Sequence, residues 1–381
     1  MSRTEKLLDI CDFQGGTQPP KEEWISEPRD GYIRMLQIRD YTQGDEKFIE
    51  YVLDNGKLHK CNVDDIMLSR YGYIGQAFTG LAGAYNVALV KVIKKKHINT
   101  QYLLYYFRSV YFQRHLLENV GARATIPGFN KTELKNALIN IPDESRQIYI
   151  ADTLERIEGI IQVRRKELQT LDDLIKARFV EMFGDPVSNP KGWEKKALSD
   201  EAEIKIGPFG SLLHKEDYIT GGHALVNPSH IVEGKIAPDD DLTISDDKYT
   251  ELAAYHLREG DVVMGRRGEM GRCAVVDQPG LLCGTGSLLI RSKGDLSADY
   301  IQKIISFPSF KRTIEDMAVG QTMPNLNVPI VSAFQIIKPP KCVQEEYYAF
   351  VDQVDKSKAA VQKALDEAQL LFDSLMQQYF G

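Results

Sequence analysis

The sequence lacks the usual marks of a catalyst. It contains no G-x-x-x-x-G-K-[ST] phosphate loop, no G-x-S-x-G elbow and no H-E-x-x-H helix. No Asn/Asp-Pro-Pro-aromatic motif for amino-group methylation occurs either. Nucleotide-driven, ester-cleaving, zinc-peptidase and base-methylating chemistries are therefore without their side chains. Cysteine is scarce: Cys11, Cys61, Cys273, Cys283 and Cys342 lie far apart, odd in number, with no C-x-x-C pair. Reduced thiols and a cytoplasmic location are expected. The histidines do not cluster with the cysteines, so no structural zinc is expected. No run of 18 apolar residues exists, and MSRTEKLLDICDF has no apolar core before a cleavage site. Neither a membrane span nor a signal peptide is expected. Basic charge is also in deficit, with a net of −7, which argues weakly against a nucleic-acid partner. The distribution tells more. Residues 64–135 hold ten Lys/Arg against four Asp/Glu, so an acidic chain can still present a basic face.

What is present is a repeat. Phe183-Gly184 and Phe380-Gly381 each close a long helix-like run, 197 residues apart. The same offset matches Pro142 with Pro339, Gln147 with Gln344 and Leu174 with Leu371. Thr125-Ile126-Pro127 meets Thr322-Met323-Pro324, and Asn130 meets Asn327. With a drift of one residue, DIMLSRYGYIGQA (65–77) meets DVVMGRRGEMGRC (261–273). The chain is two copies of one module of roughly 190 residues.

Each copy begins β-rich and ends helical, which gives an α+β class. Asn55-Gly56 reads as a tight turn between strand-like runs. Residues 85–93 and 273–280 read as strands, and 100–118 and 298–316 as helices. In 142–184 apolar residues recur at Ile150, Leu154, Ile157, Ile161, Leu168, Leu171 and Ile175, a heptad seam interrupted at Arg164. The second copy repeats it at Tyr347, Val351, Val354, Val361, Leu365, Ala368 and Phe372, interrupted at Lys358. A helix of this length spans ~60 Å at ~1.5 Å per residue. Two such helices can bury their seams on each other or on separate domains, and mutual pairing fits seams that run nearly end to end. The expected order is a β-rich domain at 1–141, a helix at 142–184, a linker at 185–197, a second domain at 198–338 and a helix at 339–381.

The two β-rich parts share polar, glycine-bearing tips. Arg70 and Arg266 precede glycine turns that can push a guanidinium outward. Gln37 and Asn227 follow buried strands at matching positions, and either type can grip adenine bidentately. Arg123, Gln321, Asn130 and Asn327 flank the Thr-x-Pro motifs. Any one of these amides could simply cap a turn. As a duplicated set with differing side chains, they suit a reader of differing base sequences. Two other readings remain open. Pro238-Asp239 with Asp246-x-Lys248 could be a metal-dependent nuclease, though it has no counterpart in the first copy. The long helices could serve a coiled-coil assembly protein that binds no DNA.

GGT (15–17), GPFGS (207–211), the Arg-x-Gly turns, TIP and TMP with the following Asn, and MFGDPVSNPKGW (182–193) together resemble the specificity (S) subunits of type I restriction-modification systems. The resemblance covers essentially the whole chain. It implies two target recognition domains, each reading half of a split double-stranded DNA site. It implies an antiparallel helix pair that acts as spacer and docking surface for two modification subunits, alongside restriction subunits. Leu154, Ile157, Ile161, Leu168 and Leu171 would carry that pair on one helix, and Val351, Val354, Val361, Leu365 and Phe372 on the other. S-adenosylmethionine, ATP and magnesium would belong to the partner subunits, with no cofactor, metal or catalytic residue here. The implied DNA contacts are Gln37, Arg39, Arg70, Tyr71, Tyr73, Gln76, Arg123, Asn130 and Lys131 in the first domain. In the second they are Ser211, Asn227, Arg266, Arg267, Arg272, Gln321, Asn325 and Asn327. GGTQPP and GPFGS are unlike, so the first loop of each half is expected to meet DNA differently.

Overall fold

The computed structural model describes residues 3–44, 46–120, 128–318 and 325–381. Arg123, Gln321 and both Thr-x-Pro motifs lie outside these residues, and the side chain of Ser211 is likewise not described. The chain divides into two compact units, Met1–Leu168 with Ala360–Gly381, and Gln169–Ala359. Two continuous 40-residue helices, Glu144–Phe183 and Lys341–Phe380, each contribute one end to either unit.

The two units repeat the strand order of one sheet. The first has an antiparallel sheet in the order Cys11–Gly15, Leu89–Lys94, Met67–Ser69, Ala77–Phe78. The second has Ala202–Ile206, Ser287–Ser292, Val262–Gly265, Cys273–Val275 in the same order. A further four-stranded sheet in each unit contains one parallel pair, Tyr32–Leu36 with Gly83–Tyr85 and His223–Val226 with Leu282–Cys283. The Asn55-Gly56 turn does form, with Gly56 at φ +75°, but it does not make a hairpin. Its flanking strands, Tyr51–Leu53 and Lys60–Cys61, pair with different strands and form opposite edges of one sheet. Tertiary pairing overrode the local signal. The expected helices at 100–118 and 298–316 are each broken in two. Ser109 caps a new helix through Oγ, accepting from Phe112 N at 3.2 Å, and Pro308 opens another where no amide donor is needed.

The long helices pair antiparallel inside each unit. In the second unit Lys358 Nζ reaches Asp172 Oδ1 at 2.6 Å, Arg178 reaches Glu346 at 3.0 Å, and Tyr347 Oη donates to Ile175 O at 3.4 Å. In the first, Arg165 reaches Gln369 at 3.4 Å. Ile150, Leu154, Ile157, Ile161, Val354 and Val361 are buried, while Leu168, Leu171, Val351, Leu365 and Phe372 are half-buried. These seam residues are committed to intramolecular packing. The large exposed apolar residues of the same helices are others: Ile148, Tyr149, Ile160, Val163, Leu370 and Leu371 in the first unit, Leu174 and Val180 in the second. The helix ends are reciprocal. Met376 and Phe380 enter the first core, where Phe380 lies 5.1 Å from Tyr102. Phe179 and Phe183, their equivalents at the offset of 197, enter the second, where Phe183 lies 5.2 Å from Tyr300.

MFGDPVSNPKGW is a locked turn. Gly184 ends its helix at φ +76°, and a Cβ there would meet Pro190 at 2.7 Å. Asp185 Oδ1 accepts from Val187 N and Ser188 N, and Trp193 Nε1 donates to Phe183 O at 3.0 Å. That network gives Gly184, Asp185 and Trp193 of the motif a backbone task.

Candidate nucleic-acid interface

In each unit three loops converge on one short segment. In the first, Gly16 N donates to Leu89 O, Asn86 N to Leu36 O and Arg70 N to Ala88 O, at 2.7–3.1 Å. In the second, Gly207 N donates to Ser287 O, Gly284 N to Val226 O and Arg266 N to Gly286 O, each at 3.0 Å. The glycines are obligatory for this approach: a Cβ on Gly16 would lie 2.0 Å from Asn86 O, and on Gly207 2.0 Å from Gly284 O. GGT and GPFGS therefore differ in letters and share one job. The following turns match as well, with Gly72 and Gly75 at φ +71° and +80°, and Gly268 and Gly271 at +78° and +74°.

The two arginines at these junctions are held alike. Arg70 Nε donates to Phe129 O at 3.0 Å, and Arg266 Nε donates to Asn325 Oδ1 at 3.1 Å, each across 59 positions of sequence. Among the described residues neither arginine pairs its Nη groups with a protein acceptor. A guanidinium fixed at Nε presents a planar two-donor fork, the shape that fits a guanine edge or a phosphate. Tyr71 stacks its ring over Gly128, whose Cβ would lie 2.4 Å from Tyr71 Cε1, and so closes the first junction. Burial, together with the like charge of Arg267, holds Arg266 below the ordinary guanidinium range. Arg267 is exposed and has no ion-pair partner among the described residues. Tyr73 and Gln76 are exposed on the first turn, Tyr73 at 74%.

Several expected contacts are spent within the protein. Gln37 caps Ile38–Thr42 and donates through Nε2 to Glu50 at 2.8 Å. Arg39 and Lys21 bind the same carboxylate. Burial opposes ionisation of Glu50, but the Lys21 and Gln37 hydrogen bonds and the nearby Lys21 and Arg39 charges outweigh it and lower its pKa. Asn227 caps a turn, and its Oδ1 accepts from Gly286 N at 3.3 Å. Asn130 caps a turn through Thr132 N, and Asn327 caps Val328–Ser332 through Ile330 N. Asn325 holds Arg266. Arg272 is divided between Glu269 at 2.7 Å and Pro228 O at 3.2 Å, and Lys131 pairs with Asp12. For these the turn-capping or ion-pair role is the observed one. Residue type in a loop does not disclose it, because the partners come from other loops.

The nuclease reading loses its geometry. Asp246 lies 3.0 Å from His223 Nε2, and Lys248 lies 3.1 Å from Glu251 and 3.7 Å from Asp217. Asp246 opens a short helix capped by Ser245. Among the described residues no three His, Cys, Asp or Glu side chains are grouped to hold a metal ion.

The profile of the type I restriction modification DNA specificity domain matches residues 2–172 and 190–369. The chain belongs to this family. Its two matched segments correspond to the two copies of the repeat. Among curated relatives, the type I restriction enzyme MjaIX specificity subunit of Methanocaldococcus jannaschii is 21% identical, over 98% of this chain and 91% of the relative. The MjaVIII specificity subunit of the same organism is 21% identical over 88% and 81%. Two solved structures share the fold. One chain, from work on complex assembly and conformational transition of the type I R-M system, gives a TM-score of 0.65 at 16% identity, over 100% of this chain and 97% of that one. The type I restriction-modification S subunit of M. genitalium gives 0.55 at 14%, over 100% and 96%.

Proposed function

We infer that this specificity-family chain reads a bipartite, asymmetric double-stranded DNA site, one half per module. It docks the modification and restriction subunits that supply methyl transfer and cleavage. S-adenosylmethionine, ATP and magnesium are used by those partners, and the assembly works in the cytoplasm. The observation that carries the reading is the duplicated arginine fork, fixed at Nε and, among the described residues, without a protein acceptor at its Nη groups, on two otherwise dissimilar loops. A positioned fork converts a basic side chain from a general phosphate contact into a selective one. Asymmetry follows from the neighbours: one module has Ser69-Arg70-Tyr71 where the other has Gly265-Arg266-Arg267. The test is methylation mapping of a genome expressing the chain with its modification subunits. A split motif with two different halves is expected, and a palindromic motif would refute the assignment. Gel shifts with those subunits present separate this reading from a DNA-free assembly role, which predicts no sequence-selective complex.

A further inference from the structure

The loop after Gly207 ends in Pro208-Phe209-Gly210. Phe209 is extended, with φ −147°, and Gly210 follows at φ +64°, where no Cβ clash arises. The ring is 57% exposed, whereas the other Phe, Tyr and Trp rings of the second unit are buried or half-buried. It borders a hollow of about 400 Å³ that is also lined by Ile206, Arg266, Arg267 and Thr285. An exposed apolar ring on its own needs no explanation. This one shares its hollow with an anchored guanidinium fork and with Arg267, which has no ion-pair partner among the described residues, so apolar and cationic side chains line one site. The superposed hydrogen-bond pattern makes Gly207 the equivalent of Gly16, so Phe209 occupies the position of Gln18, also exposed. The scaffold is common to both modules, and the tip changes from amide to phenyl.

We propose that Phe209 is a base-stacking wedge of the second module. Its ring enters the base stack at one step of the second half-site, while Arg266 and Arg267 hold that step's edge and phosphate. The inference rests on the DNA-reading assignment above and adds a mode of recognition to it. A ring in a base stack makes no base-specific hydrogen bond. It selects steps that unstack at low cost, so the step it enters is a pyrimidine–purine step, TA or CA/TG. The second half-site is thus read partly by deformability, while the first, with Gln18 at the equivalent tip, is read there by polar contact.

The test uses the full chain assembled with its modification subunits and duplexes carrying the mapped target, with 2-aminopurine placed singly along the second half-site. The wild type is expected to raise fluorescence at one pyrimidine–purine step. Phe209→Ala should abolish that rise and weaken binding by about tenfold, the effect of losing one aromatic–base stack. Phe209→Leu, which keeps an apolar wedge, should retain part of both. Binding by Phe209→Ala within twofold of wild type and an unchanged fluorescence pattern would overturn the proposal. So would a rise at no position in a wild type that binds its target selectively. A wild type with no sequence preference at all would instead overturn the DNA-reading assignment, and this inference with it. A thermal melt of each variant and its affinity for first-half-site mismatches exclude loss through misfolding.

Discussion

Arg266 and Asn325 should act as one recognition unit, and a double-mutant cycle can show it. Arg266 Nε is tied to Asn325 Oδ1 at 3.1 Å, which leaves a two-donor fork. If that fork grips a guanine edge, Arg266→Ala should cost about 1–3 kcal/mol, or roughly 5- to 150-fold in affinity, and relax one base position. Arg266→Lys keeps the charge but loses both the fork and the Nε anchor, so it should resemble the alanine variant at that base. If the group meets only phosphate, Lys should rescue, and Ala should lower the salt slope by about 0.9 without changing base preference. Asn325→Ala frees a long side chain that must then be ordered on binding, a cost of about 1 kcal/mol. The double variant should therefore bind no worse than Arg266→Ala alone, with a coupling of about 1 kcal/mol. The assay is fluorescence anisotropy on duplexes changed base by base, across a salt series. Strictly additive costs would refute the anchoring argument, and unchanged affinity and preference in Arg266→Ala would refute the contact itself.

Phe380→Ala should cost about 3 kcal/mol of stability in the first unit only, and Phe183→Ala a similar amount in the second only, read by hydrogen exchange of the separate cores. Gly184→Ala should lower the melting temperature of the second unit, because φ +76° and the Pro190 contact both resist a Cβ. Glu50 has a folded pKa below its ordinary value of about 4.3, so its stabilising effect is full above that value and is lost as pH falls through the lowered one. Glu50→Gln should therefore melt lower than wild type at pH 7, with the gap closing below about pH 4. A gap that persisted at low pH would mean that the carboxylate's charge is not the source.

The repeat and the long helices were legible because both are periodic. The constant offset from Pro142 to Gly184 survives into the matched ends Phe183 and Phe380. The glycine junctions were legible as motifs, but not their equivalence, since Gly16 and Gly207 are matched by hydrogen bonds rather than by neighbouring letters. Which polar tips stay open was not legible. Gln37 and Arg39 are engaged by Glu50, eleven to thirteen positions away, and Arg70 is set by a carbonyl 59 positions away. The role of Phe209 was not legible either, because a phenylalanine between Pro and Gly reads as loop filler. Its meaning comes from the arginines beside it.

The reciprocal helix ends have a consequence for synthesis. The core that holds Tyr102 and Tyr106 is completed by Met376 and Phe380, yet the segment beginning at Ala360 is translated 192 positions after Leu168. At roughly 5–20 residues per second a ribosome takes about 10–40 s to cover that distance. Throughout that interval the nascent first module carries an uncovered aromatic wall, which chaperones can hold and proteases can find. The second module has no such wait, since Phe179 and Phe183 emerge before its own strands. The module translated first is therefore the one that finishes folding last.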